Sequence, residues 1–200
     1  MLKKQIIIPD QIFYYPNFLS ESENKEIKLC MESSIVWTQG LIKIFGREVL
    51  TPRLQSWIAD DGITYTYSGK ENIPEQWPKE LIKLRTRINK EFNLNLNSAL
   101  CNLYRNGNDS NGWHSDDEKE LGKNPVIASI SLGVERKFQL KCKKTNERID
   151  LNLESGSLLI MKGNSQSQWK HQIPKQRKIE GKRYNITFRE TFKKISKSQS

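Results

Sequence analysis

Two hundred residues, 36% of them hydrophobic and 28% charged, make a chain long enough for one buried core and too short for two comfortable ones. That balance excludes a disordered polymer, and no apolar run approaches the roughly 20 residues of a membrane-spanning helix. The formal charge is +10, and its placement is uneven: residues 1–100 hold 13 Lys/Arg against 12 Asp/Glu, residues 101–200 hold 20 against 11. Clustered positive charge is the footprint of a phosphate-backbone partner, although generic solubility explains charge alone equally well.

The N-terminal "MLKKQIIIPDQIFYY" is read as an early strand. Its apolar run is too short for a signal peptide and Pro9-Asp10 interrupts it, so the expected location is cytoplasmic in a prokaryote and nuclear in a eukaryote. Ser20 and Glu23 form a capping-box pattern ahead of a helix in "NKEIKLCMES". A second helix follows in "WPKELIKLRTRINKEF", with Pro78 near its start and Leu81, Leu84 and Ile88 along one face. Between them, residues 41–69 hold strand-like pieces joined by Gly and Pro, where Phe45, Trp57, Tyr65 and Tyr67 interleave with Arg47 and Arg53. Such interleaving suits bases and phosphates, and equally suits an ordinary hairpin with core aromatics. Beyond residue 98 the chain turns to short β-branched or aromatic runs: "ALCNLYRN", "VIASISLG", "RKFQLKC", "RIDLNLE", "SLLIMKG" and "RYNITFRE". Helices followed by strands predict a mainly antiparallel sheet or barrel with helices packed against it. The expected organisation is an N-terminal extension over 1–97, a β core over 98–192 and a frayed tail at 193–200, all in one compact domain.

Cys30, Cys101 and Cys142 are odd in number and widely spaced, which suggests buried thiols rather than disulfides or a zinc site. Metal chemistry must then use His, Asp and Glu. The chain has only two histidines, and one lies in "NGWHSDDE", where His114 stands two residues before Asp116. In extended backbone these two side chains share a direction, so an imidazole and a carboxylate fit adjacent metal positions. His171 in "QWKHQIPK" would complete a two-histidine, one-carboxylate face that leaves the opposite positions open, the arrangement of non-haem Fe(II) oxygenases.

Two further patterns agree. "KRYNITFRE" alternates strictly, with Arg183, Asn185, Thr187 and Arg189 on one face and Tyr184, Ile186 and Phe188 on the other. If the polar face lines a barrel interior, the arginines need an anionic partner, and a dicarboxylic acid offers two carboxylates. Asn102 and Tyr104 in "NLYRN" share a face in the same way and would add an amide and a phenol.

Taken together, "NLYRNGNDSNGWHSDDE", "SISLG", "GSLLIMKG", "WKHQIPK" and "RYNITFR" resemble the AlkB family of Fe(II)/2-oxoglutarate-dependent dioxygenases. "PRLQSWIADDGITYTYSG" resembles the nucleotide-recognition segment of its DNA-repair members, the duplex-acting homologue above all. The resemblance implies a double-stranded β-helix (jelly roll) with N-terminal supporting helices. It implies Fe(II) bound by His114, Asp116 and His171, with O2 and 2-oxoglutarate as cosubstrates. Asn102, Tyr104, Arg183, Thr187 and Arg189 would hold the 2-oxoglutarate, Arg189 taking its remote carboxylate and Arg183 lying nearer the metal. Tyr67 and the His114 ring would sandwich a flipped base, while Tyr65, Asp117 and Glu118 contact its edge and sugar. In "IFGR", Phe45 matches an aromatic wedge, flanked by Gly46 and Arg47, with Arg53 further along the same surface. The implied activity is oxidative demethylation of 1-methyladenine and 3-methylcytosine in DNA, by a monomer with no membrane partner. RNA demethylation, or oxygenation of a protein or small molecule, is the alternative. A basic binding module with incidental histidines is disfavoured because both histidines fall on ligand positions. A hydrolase using Cys101 is disfavoured because that thiol alternates with Asn102 and points into the opposite layer.

Overall fold

Strands buried on both faces require a layer on each side, and the alternation in this chain assigns the layers. The computed structural model describes residues 3–44, 46–63, 65–67, 70–72 and 74–192, and the side chains at 42–44, 47, 65–67 and 70–72 lie outside the described set. In chain order the strands are β1 (Gln5–Ile8), β2 (Ile12–Tyr15), β3 (Leu41–Ile44), β4 (Arg47–Leu50), β5 (Leu54–Ala59), β6 (Tyr65–Tyr67), β7 (Lys70–Asn72), β8 (Ser98–Tyr104), β9 (Asn111–His114), β10 (Ile127–Gly133), β11 (Arg136–Cys142), β12 (Arg148–Leu153), β13 (Ser157–Met161), β14 (Trp169–Ile173) and β15 (Arg183–Arg189). The helices are α1 (Glu21–Ser33), α2 (Lys79–Phe92) and the single turn α3 (Ser165–Gln168).

Among the described residues a seven-stranded sheet runs β1-β2-β13-β10-β15-β8-β5 and faces a four-stranded sheet β12-β11-β14-β9. Both are antiparallel, the jelly-roll arrangement expected from the sequence. Strands β1, β2 and β5 belong to the large sheet, so the N-terminal 97 residues are continuous with the core. Strand β15 is central rather than an edge, and all seven of its residues are buried.

One side of the large sheet presents Ala99, Cys101, Ala128, Ile130, Ile160, Tyr184, Ile186 and Phe188 to the helices. Helix α1 docks there through Ile27, Cys30 and Met31, and α2 through Leu81, Leu84 and Ile88. Ser20 caps α1 reciprocally with Glu23, the predicted capping box. α2 ends at Asn93, whose left-handed backbone (φ 51°) suits an asparagine, and Asn89 then binds both the N–H and the carbonyl of Leu96. The other side of the large sheet meets the small one through Ile12, Tyr14, Ile127, Phe138, Leu140, Leu159, Met161 and Ile173. Apolar packing therefore closes one end of the space between the sheets, and polar side chains from β8, β10 and β15 line the rest. Cys30 and Cys101 are buried and free, as expected, whereas Cys142 at the end of β11 is free but only half-buried, against that expectation.

Candidate active site

Strands β9 and β14 pair with His114 opposite His171, so both imidazoles project into the space between the sheets. β9 ends at His114, and Asp116 follows in non-strand backbone whose N–H donates to Gln166 Oε1 at 2.9 Å. The carboxylate is turned inward and is 2% exposed. Its Oδ1 lies 3.6 Å from His114 Nε2 and 3.9 Å from His171 Nε2, and the three ligand atoms fall within 4.8 Å of one another. Ligand atoms sharing one ion sit about 3 Å apart when each metal bond is near 2.1 Å. A modest inward movement of the three side chains would close the set on a cation.

Protonation favours the same outcome. His114 Nδ1 faces the Gly112 carbonyl at 2.7 Å, which places the proton there and leaves the Nε2 lone pair toward the site. That lone pair accepts the Asn111 amide at 3.2 Å. Burial, then the neighbouring His114, lower the His171 pKa to about 3 against the opposing pull of Asp116, so this imidazole is neutral at physiological pH. Burial alone would raise Asp116; Arg189, then His171 and His114, overcome it and hold the carboxyl at about 2. The imidazoles of His114 and His171 with the ionised Asp116 carboxylate are the donor set of a divalent metal.

These ligands stand at one end of a cavity of about 530 Å³ whose lining includes Asn102, Tyr104, Ser129, Arg183, Asn185, Thr187 and Arg189. The two arginines lie opposite to expectation. Arg189 Nη2 is 3.0 Å from Asp116 Oδ2, so Arg189 is the guanidinium at the metal end. Arg183 sits beside the ring of Tyr104 (5.1 Å to its centroid) at the far end. The reason lies in strand direction. β15 pairs Arg183 with Tyr104 and Arg189 with Ser98, and β9 starts after the turn beyond Tyr104 and runs back toward the Arg189 end. Arg183 is thus the candidate for a remote carboxylate.

The fit to 2-oxoglutarate rests on Arg183. It is 1% exposed, its Nη2 donates to Ser131 Oγ at 2.9 Å, and its Nε and Nη1 have no hydrogen-bond partner. Burial lowers its pKa to about 10, with Tyr104 acting against the shift and Arg136 adding to it. A buried cation with two unused donors calls for an anion. Asn102 is already engaged, its Oδ1 accepting from Arg53 Nε (2.9 Å) and Gln55 (3.3 Å). Thr187 donates to Asn185 Oδ1 at 3.0 Å, which leaves its oxygen as an acceptor and shape-setting group.

The substrate side divides. Glu118 lines the cavity, as does Trp57 of the interleaved aromatic segment, together with Gln55 and Glu75, which the sequence patterns had not singled out. Arg53 lines it too, but is 8% exposed and hydrogen-bonded to Asn102, so it braces the wall rather than offering a surface guanidinium. Asp117 points away from the cavity, with its side chain 67% exposed and 3.9 Å from Lys143. Gly46 is an exposed turn residue with φ +78°. Arg47 begins β4, and Tyr65 and Tyr67 bound β6, but their side chains lie outside the described residues, and Phe45 lies outside altogether.

The sequence model of the 2OG-Fe(II) oxygenase superfamily matches residues 11–189. The alpha-ketoglutarate-dependent dioxygenase alkB homolog 3 of Homo sapiens is 37% identical over 197 residues, covering 91% of this chain and 66% of that protein. The DNA oxidative demethylase ALKBH2 of Mus musculus is 32% identical over 186 residues, covering 88% of this chain and 78% of that protein. The solved structure of OsALKBH1 superposes with a TM-score of 0.64 over 92% of this chain and all of its own, at 20% identity, and supports the fold. This chain belongs to the AlkB branch of the 2OG-Fe(II) oxygenase superfamily. It spans less than two thirds of the length of the homolog 3 proteins, 66% of the human, 64% of the rat and 52% of the cattle protein.

Proposed function

We propose that this protein removes methyl groups from N-alkylated bases in DNA by Fe(II)- and 2-oxoglutarate-dependent oxidation. The observation that carries the proposal is the sharing of one cavity by a three-ligand cluster and, at the far end, a buried Arg183 with two unused donors. Relatives with DNA oxidative demethylase activity in their names support the choice of substrate.

In this reading His114, Asp116 and His171 would hold the metal. Bound Fe(II) with 2-oxoglutarate supplies O2-driven hydroxylation of a C–H bond, giving succinate and CO2. Arg183 pairs the remote carboxylate of the cosubstrate, and Tyr104 and Thr187 shape its flanks. Arg189 keeps Asp116 ionised and directed inward. Gln166 fixes the backbone that presents Asp116. A base methylated on its pairing edge carries positive charge and unpairs at reduced cost, which favours its capture outside the helix. Glu118 at the cavity wall would favour that cationic ring, and Tyr65 and Tyr67 on β6 are the aromatic candidates for stacking. The hydroxymethyl product is a hemiaminal that releases formaldehyde without a protein nucleophile.

The test supplies Fe(II), ascorbate, 2-oxoglutarate and air with oligonucleotides carrying 1-methyladenine or 3-methylcytosine, single- and double-stranded, DNA and RNA. Mass spectrometry should show loss of one methyl group that requires both iron and 2-oxoglutarate and is greater on DNA. Greater loss on RNA would move the substrate class. Succinate formation without methyl loss on any strand would keep the oxygenase and discard the nucleic-acid substrate.

A further inference from the structure

Outside the ligand cluster, the most fully bonded buried charge among the described residues is Arg136, at the start of β11. It is 1% exposed, and its guanidinium meets four acceptors from two loops. Nη1 donates to the Asn106 carbonyl (3.1 Å) and Nη2 to those of Asp109 (2.9 Å) and Pro174 (2.7 Å), while Nε donates to Gln176 Oε1 (3.1 Å). Gln176 Oε1 also accepts the Lys137 N–H at 2.8 Å. The first loop, 105–110, leads directly into β9, and the second, 174–179, leaves directly from β14. These are the two strands that carry His114 and His171.

Their ladder is irregular where it matters. His171 faces His114, yet two residues on, Ile173 faces Asn111, so β9 spends three steps where β14 spends two. A bulge of this kind leaves a residue unpaired and interrupts the ladder locally, and a one-residue slip would turn every side chain to the other face. Backbone pairing from the neighbouring strand holds His171 and Gln172 but stops short of Ile173. The β11–β14 ladder extends from Cys142↔Trp169 only as far as Gln139↔Gln172. Pro174 has no N–H with which to extend a ladder. At that end of the ribbon the Arg136 fork grips both chains at once, bonding loop 105–110 and loop 174–179 through one guanidinium.

The two loops also approach each other closely. Gly107 donates to the Ile179 carbonyl (2.9 Å) and accepts from the Gln176 N–H (2.8 Å), and a Cβ at 107 would overlap the Gln176 carbonyl oxygen. Asp109, held by Arg105 through 2.8 and 2.9 Å bonds, keeps the first loop in the shape that aims its carbonyls at Arg136.

We propose that Arg136 is a positioning residue for the metal site, locking the bulged β9–β14 register that sets His114 against His171. It touches neither metal nor substrate and acts through the two loops. The inference rests on the metal reading of His114, Asp116 and His171.

The test uses Co(II), followed by its visible absorption, with the full chain. The parent should bind Co(II), and Arg136→Lys, which keeps the charge but loses the planar fork, should bind about ten- to a hundredfold more weakly. Leu84→Ala, in α2 behind the large sheet, loses stability without touching the node and should keep its Co(II) affinity within about twofold. This separates positioning from general destabilisation. If Arg136→Lys does not fold, Gln176→Leu, which removes one acceptor, takes its place with a loss of about three- to tenfold. A folded Arg136→Lys or Gln176→Leu with parental affinity would overturn the proposal, as would an equal loss in Leu84→Ala. A parent that binds no Co(II) would overturn the metal reading itself.

Discussion

Arg183 and Asp109 show how single buried charges in this chain carry separable consequences. Arg183 keeps two guanidinium nitrogens, Nε and Nη1, without a hydrogen-bond partner at a fully buried position. A hydrogen bond to a charged group is worth about 1.5–3 kcal/mol. Arg183→Gln should therefore raise the 2-oxoglutarate dissociation constant about 10- to 100-fold in calorimetric titration of the metal-loaded protein, while Co(II) binding without 2-oxoglutarate stays unchanged. Equal loss of both would return Arg183 to the metal end. Burial alone would raise the Asp109 pKa, but the hydrogen bonds from Arg105 more than offset it and the net shift is downward. A carboxyl depressed in the folded state contributes stability that is complete above its unfolded value of about 3.9 and is lost as pH falls through the folded value. Asp109→Asn should thus melt below the parent at pH 7, with the gap narrowing as the pH drops below about 4. A gap independent of pH would show that packing, not charge, is at work.

At the scale of elements, the loop pairing and the helix layer give two stability predictions. Gly107→Ala forces a Cβ into the Gln176 backbone, and overpacking of this kind costs about 1–3 kcal/mol or more. For a chain of this size that is a melting-point drop of about 3–10 °C. An unchanged midpoint would mean that the 174–179 loop yields freely. Leu84→Ala opens a cavity under α2 at a cost of about 2–5 kcal/mol, measurable by denaturant melts, and a loss below 1 kcal/mol would show that the layer collapses to fill it.

Elements were legible in the sequence to unequal degrees. α1 and α2 follow from a capping box and an apolar stripe. β15 follows from its strict alternation, because seven residues of one period decide both faces. β9 and β14 were not separable as strands. "NGWH" and "WKHQI" are short, polar and bulged, and tertiary pairing rather than propensity holds them extended. The histidines were legible by count, as the only two in the chain. The order of Arg183 and Arg189 was not, since it depends on which end of β15 the returning β9 approaches. Arg136 left one overlooked sign: in "RKFQLKC" it shares a face with Phe138 and Leu140, an arginine on an otherwise apolar strand face.

For the molecule as a whole, the positive charge of the second half has a location. On the outer face of the small sheet, Lys141 stands directly between Arg148 and Lys170, like charges opposed in one row. The nearby carboxylate, Asp150, is bonded to Lys137 and Gln139 at 3.0 and 2.9 Å. Opposed like charges destabilise a sheet, so replacing two of them should not lower stability. If a nucleic-acid backbone crosses this face, the Lys141→Gln, Lys170→Gln double variant should weaken oligonucleotide binding uniformly across sequences. It should also reduce the slope of log K against log salt by about 1–2. An unchanged slope in fluorescence titrations would move the backbone path elsewhere.

The ligand cluster and Arg183 share one cavity, so metal and 2-oxoglutarate should bind there together. Anaerobic protein given Fe(II) and 2-oxoglutarate should develop a visible charge-transfer band that needs both components. The band should be absent in His171→Ala and should appear only at higher 2-oxoglutarate in Arg183→Gln. No band in the folded parent with both components present would contradict the site as a whole.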